Sequence, residues 1–512
     1  MGSWQHFISG DYYKLKMFRD MNKNTMNLFI LLLAVFMTIT FPITIACQSS
    51  ALSAAELPYN QSEALQAKEA EEASRLHDIP HYYIKVAIDM EDASYSGSAV
   101  IDYTNIEGRE LSSIFLRLIP NGGGTYGNGL LAVESLMVNG SSVETKYSLD
   151  DSALEIMLDE PLEAGAHLVI RFDFEGNVPV DFDGGGYGIF NLKDGVMSLA
   201  GWYPILAVYD DEGWNIDPVS TIGDSVYSDI AYYTVELTLP DGIIHAATGS
   251  MIRETRDGSS IKYNYVSGPV RDFFIAAGND FKVKTKKLQG IIVNVYYLPG
   301  HEQSADMTLG IAKGSLKTFT DKFGTYPYDE LDIVEAPMNG SIAVEFPGIV
   351  VVGSQVFGNA VFTSHEIAHQ WWYNIVGNDV IDDPWLDEAL TTYSSILYYE
   401  FSRSGVEHGQ VLDYFENEYE NTLSSGNDDM IAQGLDHFEK LGGRHYSRIV
   451  YTKGAIFYHR LRQEIGDKAF FAALKDYYKD LKYSIASNED ILDRFEEFSG
   501  KQLDSFYSQW LY

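Results

Sequence analysis

An α+β fold in two successive parts, a β-rich half followed by a half of mixed helices and strands, is what this chain predicts, on three observations. From His81 onward the apolar residues recur at every second position, as Tyr82, Ile84, Val86, Ile88 and Met90 do, and Val235, Leu237 and Leu239 repeat the pattern. A period of two is that of a strand with one face buried. Over residues 304–323 the period turns helical and is stopped by Gly324 and Pro327. Strand-like runs near 331–334 and 344–352 then precede a stretch that is mostly helical in pattern to the end of the chain.

The elements follow in order. Residues 28–46 carry no charge, are preceded by Lys14, Lys16, Arg19 and Lys23, and end Ile43-Thr44-Ile45-Ala46-Cys47. That ending resembles a bacterial lipobox, in which a small residue precedes a cysteine that is cleaved free and lipidated. Residues 1–46 are therefore expected to be a signal peptide or an uncleaved membrane anchor, since nineteen apolar residues nearly span a bilayer. Cys47, the single cysteine, is the expected lipidation site. Residues 47–76, rich in Ser, Ala, Glu and Gln with one aromatic, Tyr59, read as a tether or as a helix packed on the body. Residues 77–285 form the expected β domain, with Asn139-Gly140 as a hairpin turn. The glycine-rich stretches 122–124 and 184–186 read as turns, because no Lys-Ser/Thr and helix follow to cradle a phosphate. Residues 286–512 form the second domain, in which Ser487-Asn488-Glu489-Asp490 has the form of a capped helix start.

Composition narrows the partners. The chain has 512 residues, 46% of them hydrophobic, enough for two or three cored domains. With 36 basic and 73 acidic residues the net charge is −37, which repels nucleic acid and anionic lipid surfaces. A mature chain without a further cysteine needs no disulfide outside the cytoplasm.

The most specific signal lies at residues 365–388. His365-Glu366-Ile367-Ala368-His369 places two histidines four apart, on one face of a helix. Two imidazoles aimed at one point suit a zinc ion, and a catalytic zinc takes a carboxylate as third ligand and leaves a position for water. Glu388, nineteen positions after His369, follows Pro384 at the start of a second apolar helix and supplies that carboxylate. Glu366 sits beside a ligand and is suited to take a proton from water. One Zn2+ per chain is the implied cofactor.

HEIAHQWW followed by Glu within WLDEAL resembles the aminopeptidase N family of zinc metallopeptidases, relatives of the leukotriene hydrolases. Thermolysin-like enzymes place the third ligand one residue further on. Ala343-Val344-Glu345-Phe346-Pro347-Gly348 resembles the family's Gly-x-Met-Glu-Asn segment, whose Glu holds the substrate's free amine. YSRIVYTKG, residues 446–454, resembles the segment whose Tyr-x-Lys-Gly tyrosine stabilises the oxyanion. The resemblance thus implies Glu345 for the amine and Tyr451 for the oxyanion. A carboxylate pairs with an ammonium through charge-assisted hydrogen bonds, and a phenol can donate where charge develops. Trp202-Tyr203-Pro204, Gly213-Trp214 and Gly223-Asp224 resemble the family's saddle-shaped N-terminal domain, from which no substrate-contacting residue can be assigned by spacing.

The resemblance implies a saddle-like β domain, a thermolysin-like α/β catalytic domain and a zinc aminopeptidase acting on peptides with a free N-terminus. It covers residue 82 to the end. The helical-repeat domain of larger members does not follow Tyr512, so a more open cleft is expected. The family pattern is altered at Ile342, Ala343, Val344, Asp387 and Ala389. A zinc endopeptidase of the same superfamily and a catalytically idle, membrane-tethered peptide-binding or sensor domain are the alternatives. The leader places the catalytic part outside the cytoplasmic membrane, held by lipid or anchor. Oligomeric state is not legible.

Changing Cys47 to Ser is expected to block processing and leave the precursor uncleaved in the membrane. Equal mature size and equal labelling by a fatty-acid probe in the variant would leave the signal-anchor reading in place of the lipoprotein one.

Overall fold

A computed structural model describes residues 61–512, apart from 225 and 341. The leader, Cys47 and the first part of the expected tether lie outside the described residues. The α+β class holds: the chain runs through β sheets first and through a mixed sheet with helices afterwards.

An eight-stranded sheet dominates the first half, in the order Ser250–Asp257, Ser260–Val266, Tyr232–Pro240, His81–Asp89, Ser94–Thr104, His167–Asn177, Leu130–Val138, Ser141–Ser142. Its alternating residues do what their period implies. In His81–Asp89, Tyr82, Ile84, Val86 and Ile88 are buried while their neighbours are partly or fully exposed. The pairing is antiparallel except where His81–Asp89 lies parallel to Tyr232–Pro240. Asn139 and Gly140 take φ of 50° and 81° between the paired Val138 and Ser141. Positive φ at both central residues gives the turn the twist that a tight hairpin needs. Two four-stranded sheets and a two-stranded one, Tyr209–Asp210 with Gly213–Trp214, also belong to this half.

The second half is built on a five-stranded sheet, Lys282–Leu288, Ile291–Tyr297, Glu330–Ala336, Ile349–Gly353, Ala343–Phe346. The domain boundary expected at residue 285 falls within the first of these strands. The strand expected over 344–352 is a hairpin, turned at Pro347-Gly348 with Gly348 at φ 71°. It leaves Ala343–Phe346 at the sheet edge.

Residues 61–76 are not a tether. A 3-10 turn, Gln61–Ala64, and a helix, Ala67–Ala73, lie on the body. Leu65 and Ala73 are buried, and the Gln66 amide donates to the carbonyl of Tyr326 at 2.7 Å. Lys482 pairs with Glu69 and Glu72, and Tyr232 donates to the carbonyl of Ala73. Few large apolar residues are needed when a short helix meets a lysine and two small seats. This strap touches both halves.

The helix expected around His365 and His369 is short. It runs Ala360–Ala368, capped by the Asn359 side chain, and His369 is its last turn. Trp371 and Trp372 then draw the chain inward, donating to the carbonyl of Gly324 and the hydroxyl of Ser394. Tyr373 takes φ 103°, reversing the chain. The next helix, Trp385–Ser402, starts after Pro384 as expected, and Ser487 with Asp490 closes a capping box on Asn488–Ser499. Residues Ser447–Lys453 form a π-helix. Among the described residues no helix is long and apolar enough to cross a membrane.

Arg271 pins the halves together. It is 2% exposed and donates to the carbonyls of Ser228 (2.9 Å), Tyr373 (2.7 Å) and Ser484 (2.6 Å). Arg271→Met takes the guanidinium donors from the buried carbonyls of Ser228 and Tyr373 and from the part-buried carbonyl of Ser484, and about 3 kcal/mol of stability should be lost. Urea unfolding measures this; an unmoved midpoint would show that the contacts between the halves do not depend on the guanidinium.

Candidate metal centre

The helical spacing of the two histidines is realised at the end of Ala360–Ala368. His365 Nε2 and His369 Nε2 lie 3.1 Å apart, and Glu388 Oε2 is 3.1 Å from the first and 3.3 Å from the second. Glu388 arrives from the first turn of Trp385–Ser402, which packs across the histidine helix. His369 donates Nδ1–H to the carbonyl of Trp372 at 3.1 Å, so its Nε2 lone pair faces the centre. Burial lowers the basicity of His369, against the opposing pull of Glu388. Burial acts to raise Glu388, and the two histidines outweigh it and hold the carboxyl well below the usual range. Neutral imidazole and ionised carboxylate are the forms that bind metal. Two ring nitrogens and a carboxylate oxygen converging on one point fit zinc.

Glu366 points into the same space from the same helix. It is 4% exposed and its Oε2 has no hydrogen-bond partner. Burial, then the charges of Glu388 and Asp224, raise its proton affinity well above that of an ordinary glutamate. An orphaned buried carboxylate oxygen of high proton affinity beside the ligands can take and release a proton.

Tyr451 is carried by the π-helix. Its ring stacks on His365, with centroids 5.7 Å apart and an angle of 18°, and its hydroxyl donates to Glu388 Oε1. Glu345 stands on the edge strand, 5% exposed, with Oε1 3.5 Å from His369 Nδ1. Gln370, just past the histidines, accepts from the amide of Gly348 at 2.8 Å and donates to the carbonyl of Phe346 at 3.0 Å. One side chain thus ties the Glu345 hairpin to the end of the histidine helix. The structure brings together His365, Glu366, His369, Glu388, Tyr451 and Glu345; Cys47 lies outside the described residues.

The sequence reading missed Asp224. This residue belongs to the β half, in the connection leading to Tyr232–Pro240, and a carboxylate oxygen of it lies within 4.8 Å of oxygens of both Glu345 and Glu388. Burial and then Glu388 push its pKa up to about 7. The signal was Gly223. It takes φ 64°, and a Cβ there would meet Leu435 Cδ2 at 2.6 Å. Only glycine lets this loop press against the catalytic half and deliver the next side chain. Gln370 was missed as well, and spacing alone gives no hint of its two backbone contacts.

Residues 307–510 match the model of the peptidase family M1 domain. Among curated proteins the chain is 27% identical to aminopeptidase M1-B of Oryza sativa subsp. japonica over 304 residues, 55% of this chain and 34% of the relative. It is 30% identical to aminopeptidase N of Lactococcus lactis subsp. lactis over 157 residues, 30% of this chain and 18% of that one. The chain thus spans about a third or less of the length of these relatives. The fold is similar to that of a mutant of an M1 zinc metallopeptidase from Deinococcus radiodurans, with a TM-score of 0.64 and 20% identity over 85% of this chain and 94% of the other. A variant of that protein was solved with a Tyr-Ser-Ala substrate, at a TM-score of 0.62 and 20% identity over 85% and 94% of the two chains.

Metal analysis of purified variants separates ligands from the proton carrier. His369→Ala and Glu388→Ala should lose the ion, whereas Glu366→Gln should retain about one zinc per chain. Zinc loss in Glu366→Gln would make Glu366 a ligand.

Proposed function

We propose that this chain, whose residues 307–510 are a peptidase family M1 domain, is a zinc aminopeptidase that removes residues from the free N-terminus of peptides. The observation that carries the reading is the pair Glu345 and Asp224. Their carboxylates come from different halves of the chain and converge. The charges acting on both are further carboxylates, with Glu388 common to the two. Two carboxylates whose ionisation is opposed by desolvation and by neighbouring carboxylates call for a cation. The α-ammonium of a peptide, held by charge-assisted hydrogen bonds, answers that need one residue away from the scissile bond.

Zinc, held by His365, His369 and Glu388, would polarise the scissile carbonyl and acidify water to a pKa of ~7. Glu366 takes on its free Oε2 a proton from the water whose oxygen attacks the scissile carbonyl carbon, and passes it to the amine nitrogen that leaves as the C–N bond breaks. The Tyr451 hydroxyl, already standing over the ligand set, turns to the oxygen on which charge develops. Glu345 and Asp224 fix the amine and so the point of cleavage. The bound Tyr-Ser-Ala of the Deinococcus protein is a short peptide of the kind this reading requires. The apolar leader and Cys47 support an extracytoplasmic, membrane-held location for the catalytic part.

The test is kcat/KM for a peptide with a free amine and for its N-acetylated form, in wild type, Glu345→Gln and Asp224→Asn. The wild type should prefer the free amine. Each substitution should lower that preference by about thirtyfold or more, since a buried ammonium loses a charged partner at a cost of about 2 kcal/mol or more. Equal cleavage of acetylated peptides by the wild type would replace the aminopeptidase with the endopeptidase. Glu366→Gln should lower kcat by at least ~10² for any substrate.

A further inference from the structure

Tyr451 does not stand on an ordinary helix. Residues Ser447–Lys453 form a π-helical run, a rare conformation that occurs mostly as a single turn and frequently at functional sites. The run is held by its last residue. Lys453 has a side chain only 2% exposed, and its ammonium donates to the carbonyl of Asp429 at 2.6 Å and pairs with Asp428 at 2.8 Å. A lysine so buried is costly unless its charge is met, and both partners lie on the connection between the helices Gly405–Ser424 and Leu435–Leu441.

That connection is itself held. Asp429 Oδ2 accepts from His437 Nε2 at 2.8 Å and from His445 Nε2 at 3.0 Å, while Oδ1 accepts from the amide of Met430 at 2.8 Å. His445 precedes Tyr446, whose ring packs edge-on against Tyr451 with centroids 5.4 Å apart. The contacts close a ring: Tyr451 to Lys453 along the backbone, Lys453 to Asp428 and Asp429, Asp429 to His445, and Tyr446 back to Tyr451. Lys453 pulls the run from one side and Tyr446 buttresses the phenol from the other.

We propose that Lys453, anchored on Asp428 and Asp429, is a positioning residue that holds the π-helical run so that the Tyr451 hydroxyl stands at the metal centre. It touches no reacting atom and acts through Tyr451 alone. The proposal rests on the zinc peptidase reading only in taking the Tyr451 hydroxyl as the donor to the developing oxyanion.

A double-mutant cycle on the zinc-loaded full chain tests it, with kcat and KM measured for whichever peptide the wild type cleaves, free or acetylated. Lys453→Met should lower kcat by about tenfold or more with KM within about twofold. In a Tyr451→Phe background the same change should alter kcat by less than about twofold, because the group being positioned is gone. An equal fall in both backgrounds would overturn the proposal and leave Lys453 a general support of the fold. Should Lys453→Met fail to fold, Asp428→Asn, which keeps the Asp429 carbonyl contact, should show a smaller fall in kcat that also disappears with Tyr451→Phe. If the chain cleaves no peptide at all, the proposed function fails, and the positioning is still read from a crystal structure of Lys453→Met or Asp428→Asn. Loss of the hydroxyl contact with Glu388 supports it, and an undisturbed Tyr451 overturns it.

Discussion

Five carboxylates, Asp224, Glu345, Glu366, Asp387 and Glu388, crowd around two imidazoles, and four of the five side chains are almost wholly out of water. Charges of one sign in such a place repel one another and forfeit hydration, and several of these groups have their proton affinity raised in consequence. The arrangement is tolerable because positive charge is supplied from outside the chain. In the proposed reading a metal ion meets the histidines and Glu388, and an ammonium meets Glu345 and Asp224. The surrounding structure is organised to keep these groups from relaxing apart. Gln370 ties the edge hairpin to the histidine helix, Trp371 and Trp372 lock the chain just beyond His369, and Arg271 holds the β half against the loop that follows.

What could be read in the sequence follows from how local each contact is. His365 and His369 are legible because a single helical turn relates them. Glu388 is legible because it opens a helix marked by Pro384, and family spacing fixes which carboxylate to choose. The alternating strands and the Asn139-Gly140 turn are written in periods of two and in positive-φ residues. The end of the histidine helix was not legible, since Trp371 and Trp372 fit a helical pattern and leave it only to reach Gly324 and Ser394. For the strap the sequence left a tether and a packed helix side by side, for a related reason. Its small residues look like a linker until Lys482, more than 400 residues later, supplies a partner for Glu69 and Glu72. Asp224 was noticed only as part of a motif, because its neighbours in space come from the other half of the chain.

The two halves therefore contribute unequally. The second half carries the three candidate metal ligands, Glu366, which carries the proton in the proposed reading, and the phenol of Tyr451. The first half contributes a single carboxylate, on a loop whose approach depends on Gly223 lying against Leu435 and Tyr446. The side chain of Glu439 reinforces the approach by accepting from the amide of Thr221 at 2.8 Å, three residues before Asp224.

Asp224 arriving from the β half has a consequence for what the molecule can count. In the proposed reading, a peptidase that trims one residue at a time needs a zero mark as well as a blade, and here the two are made by different stretches of chain. The blade is complete within the second half. The mark is shared across the junction, so its distance from the blade is set by how firmly the halves are seated on each other. Trimming from an end is then a property of the joined pair, and a loosened junction turns a ruler into an unmarked edge.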